Sequence, residues 1–528
     1  MKIILFTLCI LFYTNLCPAQ NNFQRVVGGI SDDDAKHVCT SMDQAFILAG
    51  STLSFGNGAT DGYLLKVDTN GSVVWASTYG NSDDDYLEWV EPTHDGGFIL
   101  CGYTFSVLKQ AFHAIIIRVD GTGNILWQKQ IALADVTRAY CIRETFDHGF
   151  ILCGEEDSSG ADGNILLVKL DSLGNLQWNK SFGIPLNADV GQCVIQTNDS
   201  GFALCAYSRF GLNSSLAVVL KTDPQGILEW SKNYYSGSTS NRTYPNHIIQ
   251  MDDDNYVISG STYMVGQPQN NLFLFSLDTA GLERWSHVYS TGNWDLCNSM
   301  FELPELDGFL LCGYTSSPAT GIGNALILKT DINGNLLWNE SYGNDTLDSY
   351  FNSLSIQGMN NIFLVGTTYT FGAGGQEVFF AARDTTGLSN GCNTTQALFT
   401  SYAFPLTNNQ ATANRALSLT VDTLNYLTAS GFLEADPCLN TSIEQASMMS
   451  KIGIYPNPGK GEFTISNPGS ERVIQLTVTD ELGRIIMLMP INSEEQNIRC
   501  NLSALAKGVY CIVVSTAIEV RLIKYIQV

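Results

Sequence analysis

Five aspartates, Asp34, Asp85, Asp189, Asp295 and Asp348, each stand close before an apolar run of similar make-up. Carboxylates brought together from such positions can ligate a hard cation or, in pairs, serve as acid and base on a glycosidic bond. Phe55, Phe105, Phe210, Tyr263 and Phe371 lie in Gly-rich stretches between apolar runs, where a flat ring can stack on a sugar or anchor a protein. The six histidines (His37, His94, His113, His148, His247, His287) are scattered and make no His-x-x-x-His zinc pattern. There is no Gly-x-Ser-x-Gly elbow and no phosphate loop, so no residue is named as catalytic. The acidic runs Asp32-Asp33-Asp34, Asp83-Asp84-Asp85 and Asp252-Asp253-Asp254 offer oxygens to calcium, but none alternates as Asp-x-Asp-x-Asp-Gly. They read as solvated turns, and no cofactor is expected, calcium being the alternative.

The elements that must position these groups form an array. Asp-x-x-Gly, with Trp four residues after the Gly, occurs at Asp68/Gly71/Trp75, Asp120/Gly123/Trp127, Asp171/Gly174/Trp178, Asp223/Gly226/Trp230, Asp278/Gly281/Trp285 and Asp331/Gly334/Trp338. Asp384/Gly387 is a seventh copy without Trp, and the Asp positions step by 52, 51, 52, 55, 53 and 53 residues. Such a period marks a solenoid or a propeller. Each unit holds four short apolar runs parted by Gly, Asn and Asp, which reads as four antiparallel strands. The second run opens on Phe46, Phe98, Phe150, Phe202, Tyr256, Phe309 and Phe363. The last unit lacks an outer strand, while Phe23–Gly28 parallels Trp75–Gly80 and has no unit of its own. The expectation is an all-β chain with a seven-bladed β-propeller over residues 21–388, closed by the N-terminal strand, which removes exposed sheet edges.

Connection lengths assign the faces. Turns between first and second strands (Asp95-Gly96-Gly97, Asp147-His148-Gly149) and at the Asp-x-x-Gly sites are tight hairpins sharing one face. Connections from second to third strand are longer and carry the aromatics, so binding is expected on that opposite face, with the five aspartates around the channel mouth.

Composition fits export. With 528 residues, 45% hydrophobic and 15% charged, the chain is globular, and its net charge of −24 argues against nucleic acid. Residues 1–19 read as a signal peptide, with Lys2, an apolar run from Ile3 and small residues before Gln20. No later segment is apolar enough to be a transmembrane span. Twelve of fourteen cysteines follow the leader. Cys141/Cys153, Cys193/Cys205 and Cys297/Cys312 read either as cross-strand disulfides or as buried small apolar residues; Cys392/Cys438 and Cys500/Cys511 are further candidate pairs.

After Gly387 the array stops; 389–450 reads as a linker or small cap. From 451 short strands alternate with Pro, Asn and Gly turns, fitting a small β-sandwich. Tyr455-Pro456-Asn457-Pro458, Gly461 with Phe463, Gly483-Arg484, Gly508 with Tyr510, and Lys524 in the last strand resemble the C-terminal sorting domain of type IX secretion cargo in Bacteroidetes. The resemblance implies an Ig-like sorting domain over 451–528 and the type IX secretion machinery as a partner. It also implies passage through the periplasm to the medium or the outer-membrane surface, often with removal of that domain. The array is similar to the propeller-like repeats of such cargo. The expected function is that of a monomeric, secreted or cell-surface binding module for an extracellular glycan or protein. The alternative is a glycan-active hydrolase or lyase with acidic residues at the channel mouth.

Overall fold

A computed structural model describes residues 23–385 apart from short connecting segments such as 107–109, 133–135 and 371–374, and from 386 onward describes strands alone. The fold is all-β and propeller-like, with no helix among the described residues. Antiparallel ladders run in chain order in groups of four. In the third group Val136–Glu144, Phe150–Asp157, Asn164–Leu170 and Leu176–Gly183 pair successively, with Cys141 opposite Cys153 and Leu152 opposite Val168. The innermost strands of the seven groups are Asp33–Thr40, Asp84–Pro92, Val136–Glu144, Ala188–Gln196, Arg242–Gln250, Asp295–Glu302 and Ser349–Gln357. The seventh group lacks an outer strand of its own. Phe23–Gly28 takes that place, with Val26 opposite Phe379.

Burial explains the sequence pattern. Second and third strands such as Phe46–Thr52 and Asp61–Val67 are buried at every residue, because neighbouring groups cover both faces. A strand covered on both faces reads as a continuous apolar run instead of alternating. In the Asp-x-x-Gly turns the Asp171 carboxylate accepts the amides of Leu173 (2.9 Å) and Asn175 (2.8 Å), while Gly174 takes a φ of +75°. The Trp of the preceding group lies on that glycine: a Cβ on Gly174 would come within 2.8 Å of Trp127. Trp75 meets Gly123, Trp178 meets Gly226, Trp230 meets Gly281 and Trp285 meets Gly334 in the same way, and Phe23 stands on Gly71. The marker motif is therefore the contact between one group and the next.

Each innermost strand carries one register shift, between Ala35/His37, Leu87/Trp89, Ala139/Cys141, Gly191/Cys193, Pro245/His247, Cys297/Ser299 and Phe351/Ser353. A bulge of this kind turns successive side chains to the same side. Seven bulges at one level make a layer across the inner strands.

Beyond the array the chain runs back along the outside. Thr394–Thr395, Thr400–Ala403, Leu406–Gln410, Ala413–Arg415 and Thr420–Asp422 pair in turn with the outer strands of groups six, five, four, three and two. Leu433–Ala435 then pairs with Val26–Gly28 of the N-terminal strand. At the C-terminus Gly453–Tyr455, Glu462–Ser466 and Asn497–Asn501 form one sheet. Val473–Asp480, Ile485–Ser493, Gly508–Thr516 and Val520–Gln527 form another, with Tyr510 opposite Tyr525 and Lys524 opposite Cys511. Tyr455 pairs with Thr464 and Phe463 with Cys500; Pro456, Asn457, Pro458, Gly461, Gly483 and Arg484 lie outside the described residues. Among the described residues no helix is long and apolar enough to cross a membrane.

Candidate functional site

The aspartates ahead of the inner strands hold loops. Asp85, Asp189 and Asp295 are at most 1% exposed. Their carboxylates accept the amides of Asn81 (2.9 Å), Ile184 (2.6 Å) and Thr291 (2.7 Å), folding the connection that precedes them. In the first group Asp33 fills this place, accepting the Gly29 amide at 2.7 Å. Asp34, one residue on, instead pairs with Lys36 at 2.7 Å and accepts the Ser51 amide at 2.9 Å. Asp348 is exposed and accepts the Gly323 amide at 2.7 Å. Burial pushes the Asp189 and Asp295 carboxyls up to about 6, against the hydrogen bonds they accept.

Four of the loop aromatics, Phe55, Phe105, Phe210 and Tyr263, are half-buried. Phe105 packs on Phe112 at 5.0 Å, and the Arg242 guanidinium lies over Tyr263 at 5.8 Å. Phe210 ends the second strand of group four opposite Ser214, and the Phe55 amide donates to Thr52 Oγ1 at 3.2 Å. Phe371 lies outside the described residues.

The bulge layer brings a different set together. In groups five to seven the bulged residue is Asn, and its side-chain amide donates to the next inner strand: Asn246 to Cys297 O, Asn298 to Phe351 O at 2.8 Å, and Asn352 to Ala35 O at 2.7 Å. In groups one to three the same position holds Lys36, Glu88 and Tyr140. Beside them, Arg138 pairs with Glu155 at 2.6 Å, the Tyr140 hydroxyl donates to Glu155 at 2.9 Å, and the guanidinium covers Tyr103 (5.2 Å) and Phe112 (4.1 Å). Tyr86 lies 5.0 Å from Tyr103. Burial raises the Glu88 carboxyl, with Lys36 opposing, Asp34 adding to the rise, and the Tyr103 hydroxyl and Arg138 opposing. These residues occupy the ends of the strands that meet the longer connections. Sequence reasoning passed over them because the innermost strand is the least regular of the four; the signal was the exchange of Asn for Lys, Glu and Tyr at one repeat position.

At the other end of the inner strands, by the hairpin turns, a cavity of about 460 Å³ is lined by six of the seven. Val38, Ile249, Met300, Leu354 and Ile356 give it an apolar wall around His37, Glu91, Arg143, His247 and Glu302. Arg143 pairs with Glu91 at 3.1 Å and lies 5.0 Å over Trp89, whose ring also stacks on His37 at 3.6 Å. Burial and then Arg143 hold His247 down to about 3, and burial keeps His37 well below its usual value, so both imidazoles are neutral at pH 7. Burial raises the Glu302 carboxyl, helped by Asp252 and Asp253. None of the nine described loop residues expected from the sequence lines this cavity.

The eight described cysteines, Cys39, Cys101, Cys141, Cys153, Cys193, Cys205, Cys297 and Cys312, are buried free thiols. Cys141 and Cys193 of neighbouring inner strands lie 3.9 Å apart at sulfur. Burial raises the Cys141 thiol well above its usual value, the condition of an inert packing residue. The side chains of Cys392, Cys438, Cys500 and Cys511 lie outside the described residues.

No curated protein matches the chain. A protein of unknown function from Dyadobacter fermentans is similar in structure at 10% identity and a TM-score of 0.41, over 70% of this chain and 99% of its own. PorZ, a surface component of the type IX secretion system of Porphyromonas gingivalis, is similar at 10% identity and 0.37, over 93% of this chain and 59% of its own. The polysaccharide lyase Uly1 is similar at 10% and 0.40, over 64% and 88%. Residues 453–527 match the model of the secretion system C-terminal sorting domain. The chain is thus cargo of the type IX secretion system, bound for the cell surface or the medium.

Proposed function

We propose that the seven groups close into a seven-bladed ring, and that this ring binds an extracellular glycan at the bulge layer of groups one to three. Closure is supported by the N-terminal strand completing group seven, by Phe23 on Gly71, and by Asn352 donating to Ala35 as Asn298 does to Phe351. The observation that carries the binding reading is the exchange of the Asn staples for Lys36, Glu88 and Tyr140, beside Arg138, Tyr103 and Glu155. Charged and phenolic groups with partly buried aromatic bodies suit sugar hydroxyls and ring faces. Each cation there already has an acidic partner, which favours recognition over proton transfer.

A glycan array probed with the secreted chain, with and without chelator, tests this. Tyr140→Phe and Glu88→Gln should each weaken binding at least tenfold, as expected for a lost charge-assisted hydrogen bond. No binding, or equal binding by both variants, overturns it; retention of a protein ligand alone would move the site to the other expected class of partner. A glycosidase is the second reading, favoured by two carboxylates lining one cavity, the Arg143-paired Glu91 and Glu302, whose carboxyl burial raises as a general acid requires. It requires Glu302→Gln to abolish turnover of a glycan that still binds.

A further inference from the structure

We propose that His94, Glu144 and His148 form a site for a divalent transition-metal ion, of which zinc fits best. The site stands on the hairpin-turn side, bridging groups two and three, apart from the bulge layer. Nδ1 of His94 and Nδ1 of His148 both meet Oε1 of Glu144, the latter at 3.1 Å. The ring centroids are 3.7 Å apart, and the three ligand atoms lie within 4.8 Å of one another.

Comparison among the turns of this chain separates the site from the architecture. The opening amide of a turn donates to a side chain of the next group: Phe146 N–H to Gln196 at 2.7 Å, Asn198 N–H to Gln250 at 2.9 Å, His94 N–H to Glu144 Oε2 at 2.8 Å. Glutamine suffices for that staple, yet here a carboxylate stands in its place, and its second oxygen faces two imidazoles. The left-handed turn position held by His148 (φ +58°) is held by Gln44, Gly96, Ser200 and Asp254 in other groups, so the backbone does not ask for histidine. Nor does an ion pair account for the trio. One carboxylate oxygen serves two rings, and two imidazolium ions at this separation would repel. The neighbouring turn carboxylates are already engaged, Asp95 by Arg118 and Asp147 by Lys169.

Two imidazoles and one carboxylate are the donor set of an open zinc site, with the fourth position left to water or a ligand. Ligand atoms on tetrahedral zinc stand about 3.3 Å apart, given bonds of about 2.0–2.1 Å. The two rings are about half exposed (50% and 54%) and can rotate to close the remaining gap. Imidazole nitrogen argues against calcium, which takes oxygen. A chain of net charge −24 concentrates cations near its surface.

The test is a Zn²⁺ titration of the full chain by calorimetry, with thermal melts in zinc and in chelator. The variants borrow residues that other turns already carry: Glu144→Gln after Gln196, His148→Ser after Ser200, and His94→Phe after Phe146. The wild type should bind one ion per chain and melt higher in zinc. Each variant should lose at least tenfold in affinity and the zinc-dependent rise, while matching the wild-type melt in chelator. His287→Ala, in the outer strand Glu283–Ser290 of group five and no part of the trio, should bind as the wild type. Binding of the same strength by His148→Ser and Glu144→Gln, or none by the wild type, overturns the proposal. If Glu144→Gln melts low even in chelator, His148→Ser, which removes no staple, decides alone.

Discussion

One carboxyl in group six answers to two opposed forces. Asp295 is fully buried, which raises it from an ordinary value near 3.8 to about 6, although Thr291 and Thr315 hydrogen-bond to it. A group raised in the folded state contributes stability that is complete below its unfolded value and lost as pH rises through its folded one. Stability from Asp295, and likewise from Asp189, should therefore fall between about pH 4 and pH 6.5. Asp295→Asn keeps an acceptor for the Thr291 amide and removes the buried charge. It should stabilise the chain by up to about 2 kcal/mol at pH 7.5 and by nothing measurable at pH 4, as denaturant melts at the two pH values will show. The sequence placed these aspartates at the right repeat position but could not say whether they faced a channel or a loop amide. In the run Asp32-Asp33-Asp34 it could not choose the loop-holding member either, because three identical residues carry no register.

Among elements, the inner strand decides what is special about this chain. Second and third strands are alike in every group because neighbours bury both faces, so their pattern was readable as an array. The bulge adds one residue to a strand without a mark in the spacing, since every group carries the same one. Its level, and hence the meeting of Lys36, Glu88 and Tyr140 with Arg138 and Glu155, follows from pairing that a single strand does not encode. The His94–Glu144–His148 trio lay one repeat apart in the chain, visible only once the turns are superposed. The N-terminal strand yields a test at this scale. Removing residues 20–28 leaves Glu377–Asp384 with an open edge and deprives Gly71 of Phe23. The truncated chain should elute from size exclusion as oligomers or aggregate, while full-length protein stays monomeric. Phe23 is half-buried, so Phe23→Ala should lower stability by about 1–3 kcal/mol, less than the cost of emptying a fully buried aromatic site.

At the scale of the whole molecule, the period of the Asp-x-x-Gly turns made the all-β array legible, and a handful of motif residues made the sorting domain so. What escaped was the course of residues 394–435. Their strands borrow order from the outer edges they lie on, so no hydrophobic periodicity of their own announces them. That course has a mechanical consequence. Cargo held at the surface through its C-terminal domain is loaded from that end, and the load reaches the outer strips before it reaches the array. The strips are attached separately, at the N-terminal strand first and then at groups two, three, four, five and six. Pulled from the C-terminus in an optical trap, the chain should lengthen in a ladder of small steps, at most roughly 3.5 nm for each ten residues freed, before one large event as the array gives way. Pulled from the N-terminus it should show no such ladder, because Phe23–Gly28 is itself a wall of group seven. On cargo retained at the surface through that domain, strips that peel and re-lay would act as a shock absorber in series with the array.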